Sequence, residues 1–419
     1  MIQPAAGFGV YIHVPFCARR CGYCDFNTYV AAPERRQDFV GQAVAELEIA
    51  GERLGGQETG ASKSGGPEQG PAPGGPAAAG RAASSVFFGG GTPTLLAAGQ
   101  LNRLLGAVRR VFGLAAGAEV TVEANPDSVD ARALGELADG GFNRVSFGMQ
   151  SASPAVLATL DRTHDPARVG QVVAAGRRAG LDASVDLIYG APGESLADWG
   201  ATARAALDLG VEHISAYALS LAPHTRLARR IAAGGLAAID PDLQADKYEL
   251  ADELFAAAGL GWYEISNWAR PGRESRHNLG YWTGGEWLGI GPGAHSALGR
   301  RRWWNLKSPS AYGRAVQAGR LPTAGGETLD QAALALETIM LRLRTAAGLD
   351  LAALSPAGRA AVPELLADGL AFVAPRPPAV QPSDAAAALG AGRPISGNLV
   401  LTRRGRLLAD LVTRRLIGA

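Results

Sequence analysis

The chain has 419 residues, 47% of them hydrophobic, and a formal net charge of +1. That length can bury a large core and predicts at least one split into domains, while near-neutrality gives no reason to expect nucleic acid or an anionic membrane surface as partner. No run of about 18 apolar residues appears, and Met1 to Gly7 lack the basic start and apolar core of a secretory leader, so a cytoplasmic protein without stable membrane insertion is expected.

In chain order, residues 9–14 read as an apolar strand, and directly behind it stand all three cysteines, Cys17, Cys21 and Cys24. None remains elsewhere for a disulfide framework, so the group reads as a metal-ligand set, a redox centre or a chance clustering. A [4Fe–4S] cluster is normally held by four thiolates; three on one loop would leave one iron open to a bound molecule. The alternative is zinc with His13 or Asp25 as fourth ligand, although structural zinc sites usually pair two ligand sets far apart in sequence. Residues 55–84, dominated by Gly, Pro, Ala and Ser, read as a disordered insertion, because such a segment cannot bury enough apolar surface to offset its ordering entropy.

Further strands are predicted at 85–88, 119–123, 144–147, 183–187 and 213–218, with helical patterns such as 100–111, 130–138 and 195–209 between them. Six βα units in succession imply a parallel sheet with right-handed crossovers. Six are fewer than the eight of a closed barrel, so the fold class is α/β, an open partial barrel. Gly89-Gly90-Gly91-Thr92-Pro93-Thr94, Glu123-Ala124-Asn125-Pro126, Gln150-Ser151, Arg162-Thr163-His164 and the run from Asp186 to Gly193 follow strand ends. Parallel α/β folds gather their ligand sites there. Consecutive glycines let a backbone approach a ligand closely, and Glu123 suits a ligand's amino group or ribose.

From residue 236 the pattern changes. Trp262, Trp268, Trp282, Trp287, Trp303 and Trp304, six of the seven tryptophans, fall close together with Tyr263 and Tyr281, and offer flat apolar surface for a macrocycle. His277 and His295 supply imidazoles, and Arg276 with Arg300-Arg301-Arg302 could pair with carboxylates. The alternative is that the tryptophans fill an interface and the arginines form a solvated turn. Helices at 331–343 and 361–368, a short hairpin and a basic amphipathic helix to Leu416 suggest a small winged-helix-like unit. The expected division is a core over 1–235, an aromatic-rich extension over 236–330 and a C-terminal domain over 331–419.

Tyr11-Ile12-His13-Val14-Pro15-Phe16-Cys17, Cys24-Asp25-Phe26, Gly89 to Pro93, Glu123 to Pro126, Asp186 to Gly193 and Tyr263-Glu264-Ile265-Ser266-Asn267, in this order, resemble the coproporphyrinogen III oxidase-like branch of the radical S-adenosylmethionine superfamily. The resemblance implies a partial barrel with a [4Fe–4S] cluster on Cys17, Cys21 and Cys24, bordered by His13. It also implies S-adenosylmethionine on the open iron, lined by Tyr11, Tyr23, Gly90, Gly91, Thr92, Glu123, Gln150, Arg162 and Asp186. The branch holds two functions. Its oxygen-independent oxidases carry a further cysteine where this chain has Phe26, and a longer segment before the cluster, so the chain is more similar to the HemW-type haem chaperones. Their HNxxYW hallmark stands here as His277-Asn278-Leu279-Gly280-Tyr281-Trp282. This implies haem as cargo with His277 as ligand and His295 second, apo-haemoproteins of the respiratory chain as recipients, and a possible homodimer. The cluster would then serve oligomerisation or regulation. The enzyme alternative is radical oxidative decarboxylation of coproporphyrinogen III propionates to vinyls. Ala222 departs from the branch, which generally shows a glutamate there.

Overall fold

The computed structural model describes residues 7–59, 81–375 and 397–418. Its strands are β1 Phe8–Val14, β2 Ala83–Gly90, β3 Leu114–Ala124, β4 Arg144–Gln150, β5 Asp182–Tyr189, β6 His213–Ala218, β7 Gly261–Glu264, β8 Asn267–Ala269, β9 Glu286–Ile290, β10 His295–Leu298, β11 Arg301–Asn305, β12 Thr323–Thr328, β13 Leu349–Asp350, β14 Ala371–Ala374 and β15 Asn398–Leu401. The helices are α1 Pro33–Thr59, α2 Ala98–Val111, α3 Ala131–Gly140, α4 Pro154–Thr159, α5 Pro166–Arg178, α6 Leu196–Asp208, α7 Arg226–Ala232, α8 Pro241–Ala257, α9 Arg276–Trp282, α10 Pro309–Gln317, α11 Gln331–Arg342, α12 Pro356–Ala367, α13 Arg403–Leu407 and α14 Ala409–Ile417.

The large sheet runs in the order β12-β11-β10-β9-β1-β2-β3-β4-β5-β6-β8-β7. Strands β1 to β6 lie side by side in sequence order, each parallel to the next, as the six predicted units require. Side chains alternate across a pleated strand. Val10, Ile12, Val86, Phe88, Val120, Val122, Val145, Phe147, Val185 and Leu187 are buried, and meet the helix stripe Leu101, Leu104, Leu105 and Val108 of α2 in one core. The other face carries Tyr11, His13, Phe87, Glu123, Ser146 and Asp186, a polar interior that apolar helices could not provide. The helices start where short polar residues cap them: Asp130, Asp165, Ser195 and Asp240 each accept a backbone N–H of the first turn.

Three features go beyond the sequence reading. Strand β9 adds to β1 in parallel, and β10, β11 and β12 continue the sheet antiparallel. On the opposite side β8 and β7 extend β6. The glycine- and proline-rich stretch is narrower than 55–84, since α1 runs to Thr59 and β2 begins at Ala83; residues 60–80 lie outside the described residues. At the C-terminal end β13, β15 and β14 form a separate antiparallel sheet with its own core of Leu343, Leu349, Leu365, Leu399, Val412 and Leu416. Arg406 joins that unit to α8: its guanidinium pairs with Asp252 at 2.7 Å and lies 4.5 Å from the Trp262 ring centroid. No helix among the described residues is long and apolar enough to cross a membrane.

Candidate functional site

The cysteine loop leaves β1 and is closed at its base by backbone bonds from Cys17 N–H to Tyr29 O (3.0 Å) and from Tyr29 N–H to Pro15 O (2.7 Å). It is gripped from two sides. Leu227 N–H donates to Gly22 O at 2.8 Å, while Asp161, at a positive φ of 57° uncommon for a residue with a side chain, pairs with Arg226 and reaches Arg19 at 3.9 Å. On the other side Asn27 donates to Pro292 O and Lys307 O, both at 3.0 Å. His13 bridges Asn27 O through Nε2 and Tyr11 OH through Nδ1, so both its ring nitrogens are engaged and it borders the loop as a brace.

All three thiols are unpaired and half-buried. Burial pushes Cys17 and Cys24 above the usual thiol range, so a metal would have to displace their protons. Among the described residues no three His, Cys, Asp or Glu side chains stand as a ready coordination shell. The donor set nevertheless suits an iron–sulfur cluster in kind, because polar groups already address its sulfurs. Thr92 Oγ1 lies 3.9 Å from Cys17 Sγ and Arg162 Nη1 3.9 Å from Cys21 Sγ. Such outer contacts tune thiolate ligands.

The turn after β2 lies against this loop. Gly91 N–H donates to Val14 O (2.8 Å) and Thr92 N–H to Phe16 O (2.7 Å). A Cβ on Gly91 would stand 2.4 Å from Phe16 O, and one on Gly90, whose φ is +110°, 2.6 Å from the His13 ring; only glycine permits both. Beside them Glu123 accepts Gly90 N–H at 3.2 Å and is pushed up to about 8 by burial and the charge of Asp186. Asp186 is itself raised by burial and accepts Ser146 Oγ–H at 2.9 Å. Two enclosed carboxylic acids facing one another favour a ligand bringing positive charge or hydroxyl donors.

Gln150 has a positive φ of 63°. Its Nε2 and Arg162 Nη2 both lie over Gly148, where a Cβ would meet them at 2.9 and 3.2 Å. Arg162 Nη2 donates to Gly148 O at 2.8 Å, and its buried Nε has no partner, an unmet donor at the mouth. Tyr23 is raised by burial and by neighbouring Cys21 and packs against the apolar cluster that contains Val156, Leu160, Ile188 and Leu227. Tyr11, likewise raised by burial, stands between His13 and His277. The structure thus brings Gly90, Gly91, Thr92, Glu123, Gln150 and Arg162 to the end of the sheet that carries the cysteines, with Tyr11 and Asp186 deeper, mid-strand, on the same inner face.

His277 occupies a different setting. It lies on α9 under the strands, 3% exposed, its ring stacked on Phe87 at 5.2 Å. Nδ1 bonds Ser85 Oγ and Nε2 bonds Tyr281 OH, each at 2.8 Å. Burial pushes it down to about 3, so the ring is neutral and both nitrogens are occupied. The tryptophans separate into two groups. Trp268 is fully buried and donates to Asp252 at 2.8 Å, whereas Trp287 and Trp304 are half-buried. The arginine run is engaged: Arg300 Nε donates to Leu329 O at 2.6 Å, Arg301 covers Trp303, and Arg302 pairs with Glu337 at 2.9 Å. Ala222 serves through its backbone, its carbonyl accepting Thr225 N–H at 3.0 Å where Thr225 caps α7.

Sequence reasoning missed Asn27, Asp161 and Ser146. The first two had a signal in their adjacency to Phe26 and Arg162; Ser146 had none.

A family model described as the radical SAM superfamily matches residues 77–206. The chain is 44% identical to "Heme chaperone HemW" of Mycobacterium tuberculosis (strain ATCC 25618 / H37Rv), over 99% of this chain and 96% of that one. It is 34% identical to "Heme chaperone HemW" of Escherichia coli (strain K12), over 69% and 70%. Among solved structures it is similar to the coproporphyrinogen III oxidase (HemN) of Escherichia coli, a radical SAM enzyme, with a TM-score of 0.75, 20% identity, and coverage of 99% of this chain and 91% of that one. At that identity the likeness concerns the fold.

Proposed function

We propose, from the premise that this chain belongs to the HemW family of radical S-adenosylmethionine proteins, that it is a haem chaperone that binds haem and hands it to apo-haemoproteins. The observation that carries this reading is 44% identity to a haem chaperone across nearly the whole chain. Phe26, where the oxidases of the resembling branch carry a further cysteine, weighs on the same side. The family's cofactors are a [4Fe–4S] cluster and S-adenosylmethionine.

Cys17, Cys21 and Cys24 would hold the cluster, with Thr92 and Arg162 turned to its sulfurs. Glu123 and Asp186 would receive the amino and hydroxyl groups of S-adenosylmethionine against the Gly90-Gly91 backbone, with Tyr11, Tyr23 and Gln150 closing the sides. When bound, the cluster supplies an iron coordination site for the methionine end. The chain's own residues exclude water with Tyr11 and Tyr23 and hold the proton of Glu123 until a cationic ligand displaces it. Haem enters the aromatic region that carries His277 and His295. The recipients are haemoproteins of the respiratory chain, and the protein works in the cytoplasm, as a homodimer.

The test is an anaerobic haemin titration of the reconstituted protein followed by mixing with an apo-haemoprotein. A saturable Soret shift and transfer of the haem are expected. No saturable shift, together with carbon dioxide release from coproporphyrinogen III in the presence of S-adenosylmethionine and a reductant, would replace the chaperone with the oxidase.

A further inference from the structure

His277 and His295 differ in what they have left to give. A ligand to haem iron needs a ring nitrogen with a free lone pair. Both nitrogens of His277 are already hydrogen-bonded inside the barrel base. His295, at the start of β10, is exposed, and neither of its ring nitrogens has a hydrogen-bond partner among the described residues. Its backbone is fixed, because Trp287 Nε1 donates to His295 O at 3.0 Å, and its ring stacks on Trp304 at 5.8 Å with 28° between planes.

The register makes this a surface rather than a single residue. His295 pairs with Trp304, Ala297 with Arg302 and with Trp287, and Trp304 with Gly325, so these side chains share one face of β9–β12. Ala297 and Gly325 keep that face low, and the Trp304 indole lies over Gly325, where a Cβ would stand 2.7 Å from it. The Trp287 ring is already faced by the Arg302 guanidinium at 5.9 Å and met edge-on by Tyr281 at 4.7 Å, which leaves Trp304 as the flat aromatic wall beside a free imidazole, a pairing that suits a planar iron porphyrin. Partial burial and, after it, the charge of exposed Lys307 nearby hold the His295 ring toward the neutral, ligating form, and the Lys307 ammonium suits a propionate.

We propose that His295 is the axial ligand of the haem iron, with the macrocycle beside Trp304 and a propionate at Lys307, and that His277 is a structural strut. This rests on the haem-chaperone reading.

The experiment is a haemin titration of the full-length reconstituted wild type, His295→Ala, Trp304→Ala and His277→Gln, read by Soret absorbance and by resonance Raman of the iron–imidazole bond. His295→Ala should weaken binding by about tenfold or more and lose the imidazole signature, with added imidazole restoring it. Trp304→Ala should weaken binding less and keep the signature. His277→Gln should lower the melting temperature while keeping the signature. Unchanged binding and signature in His295→Ala overturns the assignment, as does loss of the signature in a folded His277→Gln; if that variant does not fold, His295→Ala decides alone. No saturable binding by the wild type overturns the haem reading itself, and the assignment falls with it.

Discussion

Glu119 and Glu123 lie on the same face of β3, one at its middle and one near its end, and their surroundings are opposite. Glu119 accepts the backbone N–H groups of Arg276 at 2.9 Å and His277 at 3.0 Å, with Ser275 Oγ at 3.5 Å, and so secures the first turn of α9. Glu123 accepts one N–H and faces a second acid. A buried carboxyl with its acceptors filled holds a fold together; one left short of donors is placed for something that arrives later. The two ends of the sheet therefore differ in kind: around α9 the contacts close on each other, and at the cysteine end they remain open.

The strongest break of the open end is removal of a thiol. Cys17→Ala, Cys21→Ala or Cys24→Ala should each leave the reconstituted protein without stoichiometric iron and labile sulfide, measured by metal and sulfide analysis; stoichiometric zinc in the wild type would contradict the cluster. At the closed end, Glu119→Ala strands the buried N–H of His277 and the part-buried N–H of Arg276 and should cost about 3 kcal/mol in urea unfolding, without loss of cluster from the protein that remains folded. Gly91→Ala drives a Cβ against Phe16 O and should cost about 1–3 kcal/mol while also lowering cluster content, since Phe16 leads into Cys17. A pH-dependent effect sharpens the contrast. Glu123 has a folded value of about 8, above its unfolded value near 4.3, so the native state binds the extra proton between them. Its contribution to stability is therefore full below about pH 4.3 and is lost as pH rises through about 8. Glu123→Gln should flatten that part of the pH–stability curve of the cofactor-free protein and weaken S-adenosylmethionine binding by calorimetry; an unchanged curve would show that the raised value is wrong.

The six parallel strands were legible because each buries one face under helices and reads as an apolar run, and the candidate site residues could be singled out because they lie within or just after those runs. The extension β9–β12 was not. Strand β12, Thr323–Thr328, is mostly exposed and carries Gly325 and Gly326, a pattern with no strand preference of its own; it is a strand because β11 presents an edge. The histidines show the same limit. His277 stands in a recognisable motif, yet the chain order gives no hint that Ser85 and Tyr281 occupy both its nitrogens. Trp268 and Trp304 are indistinguishable as letters, and only one is in the core.

By itself the sequence determined the class of sheet and the family, since these depend on local periodicity and on motif residues at strand ends. Tertiary structure alone decided which acids are satisfied, which imidazole keeps a free lone pair and how the sheet continues past β1. Those properties depend on partners brought from distant parts of the chain, Glu119 to α9 and Asn27 to the Pro292 turn, and such pairings are set by packing rather than by any short-range pattern.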